Sequence, residues 1–256
     1  DSRSRFPSLA FGEVDLLFRN TTWTFARDVN LEFEFIGTNF YDGQGFMVPK
    51  NLNITDLSEL DGAKICTTST AKNQINIENY FLKNEIDYEL IISETNEESL
   101  AMYIDNKCQV YSNDVTILAN YKSKMPDANA HLILDKIISK EPLGPLVRHG
   151  DNHWADIVRW TLYSLIIADE KGINNDNVDE FLVNGDDESL RLLGVVGNYG
   201  NMLELENDWA YQIIKEMGNY NSIFAKNLGN GTSLGLNRGI NNLWNNGGIL
   251  YAPPFR

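Results

Sequence analysis

The chain is 256 residues long and 43% apolar, with 7 prolines and a formal net charge of −15. That composition excludes a disordered polypeptide and allows one large domain or two lobes of ordinary size. The acidic balance argues against nucleic acid and against an anionic membrane surface as partners. No apolar run is long enough to cross a bilayer. Neither an initiator Met nor a signal-peptide pattern stands at Asp1, so an export signal has been removed or was never part of this polypeptide.

In chain order, residues 4–11 read as the end of a helix, with Phe6, Leu9 and Ala10 at helical spacing before Gly12. Residues 14–18 predict a short apolar strand, followed by a polar stretch through Asn20, Thr22 and Thr24 to Arg27. Open α/β sheets bind ligands at the carboxyl ends of their strands, and an arginine fork matches a carboxylate with two parallel hydrogen bonds. The same residues also read as a strand, a polar turn and a surface arginine.

Residues 31–40 alternate and lead into Tyr41-Asp42-Gly43-Gln44-Gly45-Phe46-Met47-Val48, where two glycines before an apolar strand suit a chain crossing between lobes. Residues 55–60 predict a short helix capped by Thr55. A strand at 63–67, the loop Thr68-Ser69-Thr70-Ala71 and a helix at 72–83 follow. A hydroxyl-rich loop at a helix N-terminus offers N–H groups to an anion, or simply caps the helix. Strands at 89–92 and 107–111 alternate with helices at 96–102 and 115–122, which predicts a mostly parallel sheet with covering helices. Asp114 falls just past a strand end, as a ligand contact or as a helix cap. Beyond a strand at 131–138 the chain turns helical from 151, with further helices at 174–181, 188–193 and 208–218. His149 and His153 stand four apart without a carboxylate-rich helix, so no metal site is read there. No cofactor motif, G-x-S-x-G elbow or H-E-x-x-H is present. Cys66 and Cys108 each lie in a run with strand character, either as a free buried pair or, in an exported protein, as a disulfide.

Four segments carry a more specific signal. They are Gly12-Glu13-Val14-Asp15 continuing through Arg19-Asn20-Thr21-Thr22-Trp23-Thr24 to Arg27-Asp28, the stretch 41–48, Ile138-Ser139-Lys140-Glu141-Pro142-Leu143-Gly144-Pro145, and the end from Leu243-Trp244 to Phe255-Arg256. In this order they resemble the general L-amino-acid-binding proteins, the extracytoplasmic receptors of polar-amino-acid ABC transporters (solute-binding protein family 3). The resemblance covers the whole chain.

It implies an α/β, two-lobed periplasmic-binding-protein (type II) fold with mostly parallel sheets. Lobe 1 would comprise residues 1–45 and 143–256, lobe 2 residues 46–142, with hinge strands near 44–48 and 140–147. Lobe 1 would be incomplete at its N-terminus, a strand–helix–strand unit of the usual mature chain lying upstream of Asp1. The function implied is capture of an L-amino acid by lobe closure and delivery to an inner-membrane permease, by a periplasmic monomer without cofactor, metal or catalytic residues. Arg27 would take the ligand carboxylate and Asp114 its ammonium, with hydrogen bonds from Thr22 and the backbone near Asn20. Thr70-Ala71-Lys72 stands where the family has a Gly-Thr-Thr loop, so Thr70 and Lys72 join the ligand-binding set and Lys72 puts a cation in place of a hydroxyl. Lys72 either points to solvent or faces the cleft, and a shifted register would give the loop's role to Ser69-Thr70; facing the cleft, Lys72 adds a second cation near Arg27 and would favour acidic or neutral amino acids, or a dicarboxylate, over lysine and arginine. The alternatives are an exported dehydratase-like enzyme on the same fold, with Glu141 or His149 as acid or base, or a ligand-sensing module. Export also implies a Cys66–Cys108 disulfide.

Overall fold

The computed structural model describes residues 4–69 and 71–256. The chain divides into two units. The first takes residues up to Tyr41 together with Pro142–Thr232 and Asn237–Arg256; the second takes Asp42–Glu141 with Ser233–Leu236.

In the first unit, helix α1 (Arg5–Ala10) precedes α2 (Phe25–Asn30) and strand β1 (Phe33–Phe35). Strand β2 (Phe40–Asp42) then leads the chain into the second unit. Residues 14–18 do not form the expected strand. Only Leu17 pairs, in a single bridge to Leu146, because Val14 and Phe18 stay exposed and have no apolar layer to lie against.

The second unit is built on five strands. They are β3 (Gln44–Pro49), β4 (Ala63–Thr68), β5 (Tyr88–Ser93), β6 (Val110–Asp114) and β7 (His131–Ile133), in the spatial order β5-β4-β6-β3-β7. β4 runs parallel to β5 and β6, whereas β3 runs antiparallel to both β6 and β7. Four strands therefore share one direction and β3 alone is reversed. Period-two alternation assigns the two faces. Phe46, Val48, Ile65 and Val110 pack with Ile77 and Phe81 of helix α3 (Ala71–Lys83) on one face. Met47, Cys66 and Tyr111 pack with Tyr103 of α4 (Asn96–Ile104) and Leu118 of α5 (Val115–Ser123) on the other. Both faces are covered, so apolar residues stand at successive strand positions.

Local chemistry sets the ends. Thr95 and Glu98 form a capping box at the start of α4. The expected cap at Thr55 belongs instead to Asp56, whose carboxylate accepts from the Ser58 N–H at 2.9 Å while Glu59, three residues on, accepts from the Asp56 N–H at 3.0 Å. Gly43 is required at the crossing: a Cβ there would stand 2.9 Å from the Ser139 carbonyl oxygen.

The chain returns through β8 (Glu141–Leu143), which pairs with β2, and β9 (Leu146–Arg148), which pairs antiparallel with β1. Phe33, Phe35 and Leu146 meet Leu9 of α1 on one side of that ladder, while Val147 and Ile36 meet Ala155 and Val158 of the long helix α6 (Asn152–Glu170) on the other. Shorter helices complete the unit: α7 (Val178–Asn184), α8 (Asp187–Leu192), α9 (Tyr199–Met202), α10 (Trp209–Met217) and α11 (Tyr220–Asn227). Asp169 on α6 and Arg238 pair at 2.8 Å, each nearly buried.

Cys66 in β4 and Cys108 just before β6 form a disulfide, with Cα atoms 5.8 Å apart and both residues buried. It closes a loop of 42 residues, worth about 4 kcal/mol in the chain-entropy model. Urea unfolding with and without reductant should therefore show a loss of roughly that size. An intact mass revealing two free thiols under non-reducing conditions would remove the bond.

Candidate functional site

The order of the parallel strands places the site in the second unit. From β4 the chain passes through α3 to β5 on one side, then through α4 to β6 on the other side of β4. The connections thus diverge at the carboxyl ends of β4 and β6, the topological switch point where open α/β sheets leave a crevice. β6 delivers Asp114 to that end, as the last residue of the strand, opposite Gln44 at the start of β3. α3 begins there as well and carries Lys72 in its first turn.

These residues meet. The Lys72 ammonium lies 3.0 Å from Asp114 Oδ1, 3.2 Å from Asp114 Oδ2 and 3.2 Å from Glu141 Oε1. The Asp114 and Glu141 side chains are 10% and 4% exposed, and that of Lys72 is 41% exposed. The cation thus lies over two buried carboxylates. Burial pushes the Asp114 carboxyl up, Lys72 pulls it back down, and the neighbouring Glu141 charge raises it again. Asp114 holds the N-cap position of α5 but makes no capping hydrogen bond, so its carboxylate is spent on the ammonium and not on the helix. Ser139 Oγ donates to Glu141 Oε1 at 3.0 Å and accepts from the Gln44 N–H at 3.0 Å. Asp42 adds a third carboxylate, accepting from the Gly43 N–H at 2.9 Å and from the Thr116 hydroxyl.

Lys72 is thus paired with Asp114 and Glu141, and two carboxylates face one ammonium, a group that is net negative when both acids are ionised.

In the first unit, Thr24 caps α2 by accepting the Arg27 N–H at 3.3 Å. The Arg27 guanidinium donates to the Thr22 carbonyl at 2.7 Å and lies 5.7 Å from the centre of the Phe6 ring. Thr22 pairs in a single bridge with Leu143. Arg5, which the sequence reading did not single out, stands 4.8 Å from the same ring and donates to the Asn20 carbonyl at 2.6 Å and to Thr21 Oγ1 at 2.9 Å. Burial, Arg27 and Arg19 push the Arg5 guanidinium below its usual range. Asn20 thus meets Arg5 through its backbone carbonyl. Like charges gathered on one aromatic ring make this a region that favours an anion.

Thr70 lies outside the described residues. His149 is exposed, and Glu141 is engaged by Lys72 and Ser139. Among the described residues no three His, Cys, Asp or Glu side chains gather as a metal site, and no helix is long and apolar enough to cross a membrane.

Asp42 generates a measurable pH effect. Burial, its first cause, raises the carboxyl from 3.8 to about 6, the Thr116 and Gly43 hydrogen bonds oppose the rise, and Asp114 adds to it. A folded-state value above the unfolded one gives stability that is full below about pH 4 and lost as the pH rises through about 6. Asp42→Asn should abolish that decline, on the order of 3 kcal/mol, in urea denaturation run across this window. Parallel curves for the two proteins would mean that Asp42 titrates alike folded and unfolded.

No protein-family model matches the chain. The glutamate/glutamine/aspartate/asparagine-binding protein BztA of Rhodobacter capsulatus is 44% identical over 254 residues, covering 99% of this chain and 75% of that protein. The general L-amino acid-binding periplasmic protein AapJ of Rhizobium johnstonii is 46% identical over 258 residues, covering 100% of this chain and 76% of its own length. A periplasmic binding protein of an ABC transporter from Brucella ovis, solved with glutathione bound, superposes with a TM-score of 0.90 at 41% identity, covering 100% of this chain and 81% of that one. The GluR0 ligand-binding core with L-glutamate, at 16% identity and a TM-score of 0.51 over 64% of this chain and 73% of its own, shares the fold. By fold and by sequence the chain belongs to the two-lobed amino-acid-binding proteins of ABC transporters.

Proposed function

We propose that this protein is a periplasmic receptor that binds an L-amino acid and hands it to the inner-membrane permease of an ABC transporter, acting as a monomer and by binding alone. The observation that carries the reading is Asp114, a carboxylate 7% exposed at the carboxyl end of a central strand, at the switch point. A buried carboxylate needs a cation, and the α-ammonium of an amino acid is one. Arg27, set by Thr24 and Thr22 beside Phe6, would take the ligand carboxylate. Thr22, Asn20 and Thr70 are proposed as neutral contacts, and Lys72 as a residue of the ammonium subsite. The ligands in the relatives' names, glutamate, glutamine, aspartate, asparagine and glutathione, all carry an α-ammonium and a carboxylate on one carbon. The relatives are named as binding proteins, which favours receptor over enzyme.

Calorimetry with L-glutamate, L-glutamine and L-asparagine tests the reading. Arg27→Ala should weaken binding by on the order of 3 kcal/mol or more, since a charge-assisted pair is lost and the ligand carboxylate is left unpaired. Asp114→Asn should be milder, because the amide keeps one acceptor. Wild-type affinity in Arg27→Ala would move the carboxylate site elsewhere, and ligand consumed over time, followed by mass spectrometry, would make the protein an enzyme.

A further inference from the structure

The group that sits on Asp114 is itself a primary ammonium. Lys72 contacts both Asp114 oxygens and one Glu141 oxygen at 3.0–3.2 Å, so its three N–H donors have three carboxylate acceptors. It reaches them from the first turn of α3, where the helix dipole disfavours a positive charge, so the carboxylates and not the helix hold it there. Its side chain is far more exposed than either acid, which gives it a route to solvent.

We propose that Lys72 is the resident occupant of the ammonium subsite, and that the α-ammonium of an incoming amino acid displaces it from Asp114 onto Glu141. This deepens the receptor reading and rests on it. Charge count supports exchange over simple eviction. Two buried carboxylates now share one cation; after exchange each has its own, the ligand on Asp114 and Lys72 on Glu141. Asp42, a third acid of the cluster, adds to the demand for a second positive charge. The chain thus competes with its own ligand, and the competition selects for an amine. A dicarboxylate without one has nothing to offer Asp114 and leaves Lys72 in place.

The test pairs L-glutamate with glutarate, the same carbon skeleton without the ammonium. Titration calorimetry would be run on wild type, Lys72→Met and Glu141→Gln, each first checked for cooperative thermal unfolding. Lys72→Met should bind L-glutamate about tenfold tighter, with glutarate unchanged. Glu141→Gln removes the second seat, confines Lys72 to Asp114, and should weaken L-glutamate by about threefold or more. L-glutamate affinity that is equal or weaker in Lys72→Met, or a gain shared by glutarate, overturns the exchange while leaving the receptor reading intact. Should Lys72→Met not fold, unchanged or tighter L-glutamate binding in Glu141→Gln overturns it alone. No binding of any L-amino acid to wild type and Lys72→Met alike overturns the receptor reading and the exchange together.

Discussion

A carboxylate buried at the end of a strand has to find a cation, and the second unit is arranged around that need. Asp114 is forced into the interior because β6 lies inside the sheet, between β4 and β3, with α5 starting immediately after it. An isolated charge in that position is prohibitively unfavourable. Lys72 of α3 supplies the compensation, while Ser139, ahead of β8, and Thr116 of α5 donate to the neighbouring carboxylates of Glu141 and Asp42. The strand order β5-β4-β6 brings these elements to one place, because it turns the chain back across β4.

Much of this unit is legible in the sequence. Short apolar runs bounded by turn residues mark β4, β5 and β6, and each lies within a few residues of its expected place. The disulfide is legible too, once export is inferred, because Cys66 and Cys108 sit in adjacent strand-like runs. The weak points have physical causes. Residues 14–18 have the composition of a strand, yet a strand needs a partner along its length, and Leu146 offers one position only. Thr55 and Asp56 are both good caps, and the choice falls to the residue that has Glu59 three positions later. Lys72 was visible as a departure from the family's loop, but its partners were not. Glu141 is 69 positions away in sequence, and only the return of the chain at β8 brings it alongside. Arg5 was missed for a similar reason: a lone arginine at the start of a helix gives no sign that it will share an aromatic ring with Arg27.

The relatives share the framework at 43–46% identity over nearly the whole chain, so identity alone would predict an ordinary member of the family. Lys72 is half exposed at the first turn of α3, above strands packed on both faces, so the side chain at this position can change without disturbing the sheet beneath it.

The discontinuity of the first unit bears on the order in which the protein is made. Asp42–Glu141 is one uninterrupted stretch carrying all five strands of its sheet, so nearly all of its contacts close within about a hundred residues. β1 has no such freedom, because its partner β9 lies more than a hundred positions downstream, with Phe33 facing Arg148. A chain emerging from its N-terminus can complete the inserted unit while the segment ahead of it is still unpaired. The residues around Arg27 are made well before β9, yet are then among the last of these to find their native surroundings. Until β9 arrives, the exposed Phe33 and Phe35 are the surface that a chaperone would have to guard.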